Sequence, residues 1–471
     1  MNKFVANYLS TNRNAFEQVS SFIYHHPETR FEEYESASYF AKACEEQGFL
    51  VERNVAGIDT AFIATYGEGK PVIGYLGEFD ALSGLSQKPN ETSYQPLEKD
   101  IGHGCGHNLL GTGAFAAACA AKKYLEENNL PGTVKFFGCP GEEGGSGKTF
   151  MVREGVFDGV DAALTWHPSP ANAIMSLSSL ANYQVSFKFK GVSSHAANTP
   201  HLGRSALDAV ELMNVGVNYL REHIVPEARI HYAVTNTGGI SPNVVQANAE
   251  VLYLVRAPKV PQVDSIFQRV KKIAEGAALM TETEVTIDFD KACSNYIPNR
   301  SLEKILYKKF TEVGVQKPTD EENAFAEKLW STFTDGEKEN FLDPMKGFGY
   351  VGDGSEFAGK YYSDSISPYH ESKEILAGST DVSDVSWVVP TAQLSASTSV
   401  LGTALHTWQM TTQGLRNYAL NGMSMALAGI QLFDNPEDLQ NIKEEFEAFK
   451  KANPYSNPIP EDVTPSKLHE K

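Results

Sequence analysis

The sequence predicts an α/β catalytic unit interrupted by a smaller α+β unit, and three observations carry that prediction. Short apolar runs at residues 72–77, 133–139 and 161–166 are bounded by Gly, Pro or charged residues, the pattern of strands buried on both faces. Each run is followed at once by polar, chemically capable residues, and in open α/β sheets ligands gather at the carboxyl ends of the strands. Between about residues 183 and 290 the pattern changes to period-two alternation, as in Val185, Phe187 and Phe189, which marks half-buried antiparallel strands.

Taken in order, residues 1–20 mix Asn, Lys, Arg and Glu with scattered apolar residues. They form neither a secretory core nor a spanning helix, which points to the cytoplasm. The Ala-rich stretch 109–127 reads as a helix packed on the sheet. In the alternating region, Ile230, Tyr232 and Val234 mark a second strand and Val285, Ile287 and Phe289 a last one. Between them lie a helical stretch at 204–223, a strand at 250–256, and a helix with Val263, Ile266, Phe267, Val270, Ile273 and Ala274 on one face. The order β-α-β-β-α-β is the split-βαβ, ferredoxin-like arrangement. Residues 1–180 and 296–471 are therefore expected to form two parts of one catalytic domain around an insertion at 181–295. After Pro298 the chain turns helical and charged, residues 347–379 read as a mobile loop, and the Pro-rich tail after Asn453 reads as an extended surface strap.

The length of 471 residues exceeds the usual size of a single hydrophobic core, in keeping with two units. Five cysteines cannot make a disulfide framework, and an odd number leaves one thiol free, which fits a reducing compartment. Forty basic residues against 59 acidic ones give a net charge of −19, which argues against nucleic acid and anionic membrane as partners. An anionic small substrate then needs local cations, and bound metal ions would supply some of them.

The chemistry sits in a few short motifs. In His103-Gly104-Cys105-Gly106-His107-Asn108, small residues space three soft or borderline ligands so that the backbone can fold round an ion. A thiolate and an imidazole are equally the parts of a cysteine hydrolase. Cys139-Pro140-Gly141-Glu142-Glu143-Gly144-Gly145 places adjacent carboxylates in a glycine-rich turn at a strand end. One carboxylate can bind a metal while its neighbour acts as general base. The Gly147-Lys148-Thr149 that follows is no phosphate loop, because the required first glycine falls on Glu142 and two glutamates would repel phosphate. His167 closes the third apolar run, and His406 lies in a late small-residue setting that spacing alone cannot connect to the rest. Asp80 ends the first run, where it can support a ligating imidazole or cap a helix.

Together these motifs resemble the di-metal peptidase family that includes carboxypeptidase G, aminoacylase and the auxin-conjugate amidohydrolases, and the Cys-Gly-His form resembles its amidohydrolase branch. HPETRFEE, LGEFDALSGLSQ, IGHGCGHNLLG, CPGEEGGSGKTFMVREGVFD, SHAANTPHLGRSALDA, GGISPNVVQANAEVLYLVRAP, STDVSDVSW and LHTWQ extend the resemblance, over nearly the whole chain, to the members that act on aminobenzoyl-glutamate. The resemblance implies a mixed-sheet catalytic domain with an inserted lid and dimerisation domain. It implies two divalent metal ions, Mn2+ or Zn2+, bridged by Cys105 and completed by His107, Glu143, His167 and His406, with Glu142 as catalytic base. Glu78 is left outside the ligand set, Asp80 stands behind it, and the family's usual Asp after the Cys-Gly-His motif is Asn108 here.

On the insertion, the resemblance implies that His195 reaches into a neighbouring subunit's site to hydrogen-bond the developing oxyanion. Asn243 and Arg256 match positions near the substrate carboxylate, and Arg204 is a further cation nearby in sequence. The implied substrate is a small anionic N-acyl amino acid such as p-aminobenzoyl-glutamate, and the implied assembly is a homodimer or a heteromer with a homologous subunit. A bridging thiolate beside imidazoles favours zinc, whereas carboxylate ligation and the resemblance favour manganese. Other family activities on dipeptides, a non-catalytic subunit, and a thiol hydrolase built on Cys105 stay open as alternatives.

Overall fold

The computed structural model describes residues 1–415 and 419–468 of the chain, without the side chains of residues 419–421. The chain first lays down β1 (Leu50–Arg53), β2 (Phe62–Glu68), β3 (Val72–Glu78), β4 (Gly132–Cys139), β5 (Ala162–Ser169) and the short β6 (Ala173–Ile174). It then leaves for a separate sheet made of β7 (Ala181–Lys190), β8 (Arg229–Asn236), β9 (Asn248–Ala257) and β10 (Glu284–Cys293). It returns to the first sheet with β11 (Thr391–Ser397). The larger sheet has the order β1-β2-β4-β3-β5-β11-β6. Its centre is parallel, β4 with β3, β3 with β5 and β5 with β11, while β1, β2 and β6 run antiparallel at the edges.

The three apolar runs are β3, β4 and β5, buried along almost their whole length because helices cover both faces. The Ala-rich stretch is the helix His107–Asn128, whose small residues let it lie close against β3. A Cβ on Gly111 would stand 2.4 Å from the Glu78 carbonyl oxygen, so a larger residue would push the helix off the strand. That closeness brings the Cys-Gly-His motif at the helix start up to the end of β3.

The smaller sheet has the order β8-β9-β7-β10 with all neighbours antiparallel, as the β-α-β-β-α-β order requires. The helices Ala206–Leu220 and Val260–Thr281 cover one face, burying Val185, Phe187, Tyr253 and Val255. The other face carries Asn182, Gln184 and Arg256 and looks toward the carboxyl ends of the larger sheet. Residues 347–379, expected as a mobile loop, are irregular but packed: Phe357 is 4% exposed, and the Ser367 N–H donates to the Asn172 carbonyl at 2.8 Å. The tail beyond Asn453 is the expected strap, tied down by Asn457 on the Thr149 carbonyl and by Ser466 on Asp290.

Candidate metal centre

Every catalytic motif arrives at the same edge because β3, β4, β5 and β11 run parallel and end there. Asp80 follows β3, the Glu142-Glu143 turn follows β4, His167 lies near the end of β5, and His406 lies in the segment after β11. Cys105 and His107 open the long helix, where Gly106 takes φ +78° so that the chain can turn from thiol to imidazole. The late histidine, which spacing could not place, is pinned by its own backbone: the His406 N–H donates to the Gly104 carbonyl at 2.8 Å. His406 also holds φ +59°, a left-handed conformation unusual for a non-glycine residue.

The Glu142-Glu143 turn is held from three sides by the N-terminal HPETRFEE segment. Glu33 accepts hydrogen bonds from the Gly141 N–H at 2.9 Å and the Thr60 hydroxyl at 2.8 Å. Arg30 donates to the Gly144 carbonyl and pairs with Asp290 at 3.2 Å, which ties the turn to β10. Gly141 sits at φ +67°, a conformation the sharp exit from β4 demands.

Two sets of potential ligands share one thiol. Cys105, His107 and His167 form one set, and Cys105, Glu143 and His406 the other, with the ligand atoms of each set within 4.8 Å of one another. Cys105 Sγ lies 3.5 Å from Nε2 of His167, and Glu143 Oε1 lies 3.2 Å from Nε2 of His406. Asp80 orients both sets: its Oδ1 is 2.8 Å from Nδ1 of His107, and its Oδ2 accepts the Glu143 N–H at 2.7 Å. With Nδ1 donating to Asp80, the lone pair of His107 Nε2 faces inward. Nε2 of His107 and Oε1 of Glu143 are buried and lack a hydrogen-bond partner among the described residues, the condition of atoms arranged to bind an ion. A thiolate flanked by imidazoles and a carboxylate is a donor set that suits a divalent transition metal.

Glu142 completes the cluster without belonging to either set. Burial, then the charges of Glu78 and Glu143, holds its carboxyl well above the usual carboxylate range. Burial lowers His167 to about 4, which keeps its imidazole neutral and available as a ligand. Glu78 stands closer than the sequence reading allowed: its Oε2 is 3.3 Å from His107 Nε2, and it forms a third set with His107 and Glu142. Its other oxygen is taken by Lys148, whose Nζ lies 2.7 Å from Glu78 Oε1 and 2.5 Å from Asp381 Oδ1. Lys148 is fully buried, so its charge offsets part of the carboxylate excess.

These groups line a cavity of about 500 Å³ whose opposite wall is the polar face of β7, β9 and β10. Arg256 and Lys291 project from that wall. Among the insertion residues singled out from sequence, only Arg256 is in the cavity. His195 and Asn243 lie side by side, with the Ala196 N–H donating to the Asn243 carbonyl at 3.0 Å, but both are exposed and outside the cavity lining. Arg204 is corrected: it makes a surface pair with Glu282 at 3.0 Å and bonds the Gly203 carbonyl. His103 is likewise no ligand, since its Nε2 is bound to the Ile23 carbonyl at 3.0 Å and burial lowers it to about 4. Asn108 turns away from the ligands and donates to Ser20 Oγ at 3.0 Å and the Gly414 carbonyl at 2.5 Å.

A thiol shared by two ligand sets, a carboxylate beside them and a substrate-sized cavity define an amide hydrolase of the metallopeptidase type, and the chain belongs to peptidase family M20/M25/M40, whose model matches residues 74–360. Over 478 aligned residues it is 52% identical to one of the two p-aminobenzoyl-glutamate hydrolase subunits of Escherichia coli (strain K12), covering 99% of each chain. It is 27% identical over 249 residues to the other subunit of that hydrolase from the same organism, covering 50% of this chain and 56% of that one. Its fold is shared with a dinuclear metal-binding M20 peptidase of Bacillus subtilis, at TM-score 0.53 and 15% identity over 92% of this chain and 99% of that one. Among the described residues no helix is long and apolar enough to cross a membrane.

Proposed function

We propose that the chain hydrolyses the amide bond of N-acyl amino acids that carry a free carboxylate, with p-aminobenzoyl-glutamate, cleaved to p-aminobenzoate and glutamate, as its substrate. The observation that carries this reading is the sharing of Cys105 by two ligand sets in one cavity that also holds Glu142. Cys105, His107 and His167 would hold one divalent ion, and Cys105, Glu143 and His406 a second. When bound, the ions supply Lewis acidity to the amide carbonyl and to the attacking water.

The chain's own groups do the rest. Glu142 takes a proton from the water and returns it to the departing amine nitrogen. Its raised pKa matches that shuttle, because a carboxyl held above its usual range can both accept and give back a proton. Asp80 fixes the His107 tautomer and the position of Glu143. Arg256 meets a substrate carboxylate from the cavity wall. His195 and Asn243, exposed on the inserted unit, serve the site of a neighbouring subunit, where His195 hydrogen-bonds the developing oxyanion.

The proposed metal is manganese rather than zinc, on the strength of the resemblance and the carboxylate ligand. The two Escherichia coli relatives carry the names of two subunits of one hydrolase, which favours a heteromer with a homologous partner over a homodimer. Five free, buried cysteines support a reducing, cytoplasmic setting.

The test is metal content per chain together with p-aminobenzoyl-glutamate cleavage before chelation, after it, and after manganese or zinc add-back, with and without the homologous partner. About two metals per chain and restorable cleavage are expected. Undiminished cleavage by metal-free protein would overturn the reading.

A further inference from the structure

The cavity wall opposite the ligands carries a cation that the proposed chemistry does not use. In β7, Asn182 pairs with Arg256 on one side and Cys293 on the other, while Gln184 pairs with Leu254 and Lys291. Because successive residues of a strand point to opposite faces, these six share the face turned away from the covering helices, and all six line the cavity with Glu142.

Lys291 is 7% exposed, yet no carboxylate or hydrogen-bond acceptor engages its ammonium group among the described residues. The obvious candidate, Asp290 next to it, is used by Arg30, Gln184 and Ser466. Arg256 is in a similar state: it makes one 3.3 Å contact to Ser379, and its Nε is buried without a partner. An ammonium taken out of water with no counter-ion is costly, and the cost is recovered where a ligand brings the anion. Since β7 runs between β9 and β10, the backbones that carry the two cations are about 10 Å apart, two strand spacings. That separation suits two carboxylates of one molecule.

We propose that Lys291 selects an acidic amino acid in the substrate by binding its side-chain carboxylate, while Arg256 holds the α-carboxylate. The inference rests on the reading of the chain as an N-acyl amino acid hydrolase and narrows it to N-acyl dicarboxylic amino acids. Lys291 is a specificity-determining residue, remote in sequence from every catalytic motif.

The experiment uses the full manganese-loaded chain, with its homologous partner if cleavage requires one. It compares kcat and KM for p-aminobenzoyl-glutamate and its neutral isostere p-aminobenzoyl-glutamine in wild type, Lys291→Met and Lys291→Arg. The wild type prefers the glutamate compound. Lys291→Met raises KM for that compound with little change in kcat and lowers the glutamate-to-glutamine preference about 100-fold, as loss of one charged hydrogen bond requires. Lys291→Arg recovers most of the preference.

Inhibition by free L-glutamate, compared with L-glutamine, gives a readout independent of turnover: Lys291→Met weakens the first and not the second. A Lys291→Met variant that keeps the wild-type preference, or loses both substrates in equal measure while unfolding at the same temperature, overturns the inference. A wild type that cleaves neither compound brings down the hydrolase reading and this inference with it, a pattern distinct from retained preference.

Discussion

Asp80 Oδ1 sits 2.8 Å from Nδ1 of His107, and through its other oxygen the same carboxylate holds the Glu143 backbone N–H at 2.7 Å. One residue thus orients a ligand in each of the two sets that meet at Cys105. Replacing Asp80 by Ala frees the imidazole to rotate and choose its tautomer. Metal affinity is expected to fall about 10- to 100-fold, measured by competition with a chromophoric chelator. Unchanged affinity would show that packing alone orients His107.

Glu142 belongs to neither of the two sets that share Cys105, so its removal separates chemistry from metal binding. Glu142→Gln keeps shape and fold and can neither accept nor return a proton. Turnover is expected to drop by about 10²- to 10⁴-fold with metal content preserved, read from steady-state kinetics beside elemental analysis. Retained activity would remove Glu142 from the role of base.

Cys105 distinguishes metal chemistry from thiol chemistry. Both chelation and alkylation are expected to abolish cleavage, and metal add-back to restore it only after chelation. Cleavage that survives chelation but dies on alkylation would identify Cys105 as a nucleophile.

Lys148 is buried between Glu78 and Asp381 and has no route to water. Lys148→Met strands two buried carboxylates, and a destabilisation of roughly 3–5 kcal/mol is expected from chemical denaturation. The double variant Lys148→Met, Asp381→Asn should recover part of that loss. A loss below about 1 kcal/mol would mean that water reaches the pair.

Arg204 offers a control on the insertion. Its partner Glu282 has a side chain 71% exposed, so Arg204→Ala should cost less than about 1 kcal/mol and leave KM unchanged. A raised KM would restore Arg204 as a substrate contact.

Much of the fold was legible because its signals are local. The β3, β4 and β5 runs are apolar without interruption, and the sheet of β7 to β10 alternates, so burial on two faces and on one face left different marks. Cys105, His107, Glu143 and His167 were legible for a related reason: each lies in or just beyond a recognisable strand or at a helix start. His406 was named only through resemblance, since its position depends on a hydrogen bond to Gly104, about 300 residues earlier in the chain. His103, in the same motif as Cys105, looked equally able to ligate, and only its bond to the Ile23 carbonyl excludes it.

The sequence by itself determined the α/β class, the order of the inserted strands and helices, and which residue types could meet at a sheet edge, because periodicity and motif are properties of neighbours along the chain. Tertiary structure alone decided that Lys148 neutralises Glu78, that Arg204 stays at the surface, and that Lys291 faces the catalytic carboxylate. Those outcomes depend on strand register and on which charges share a low-dielectric space, and contacts between residues far apart in sequence set both.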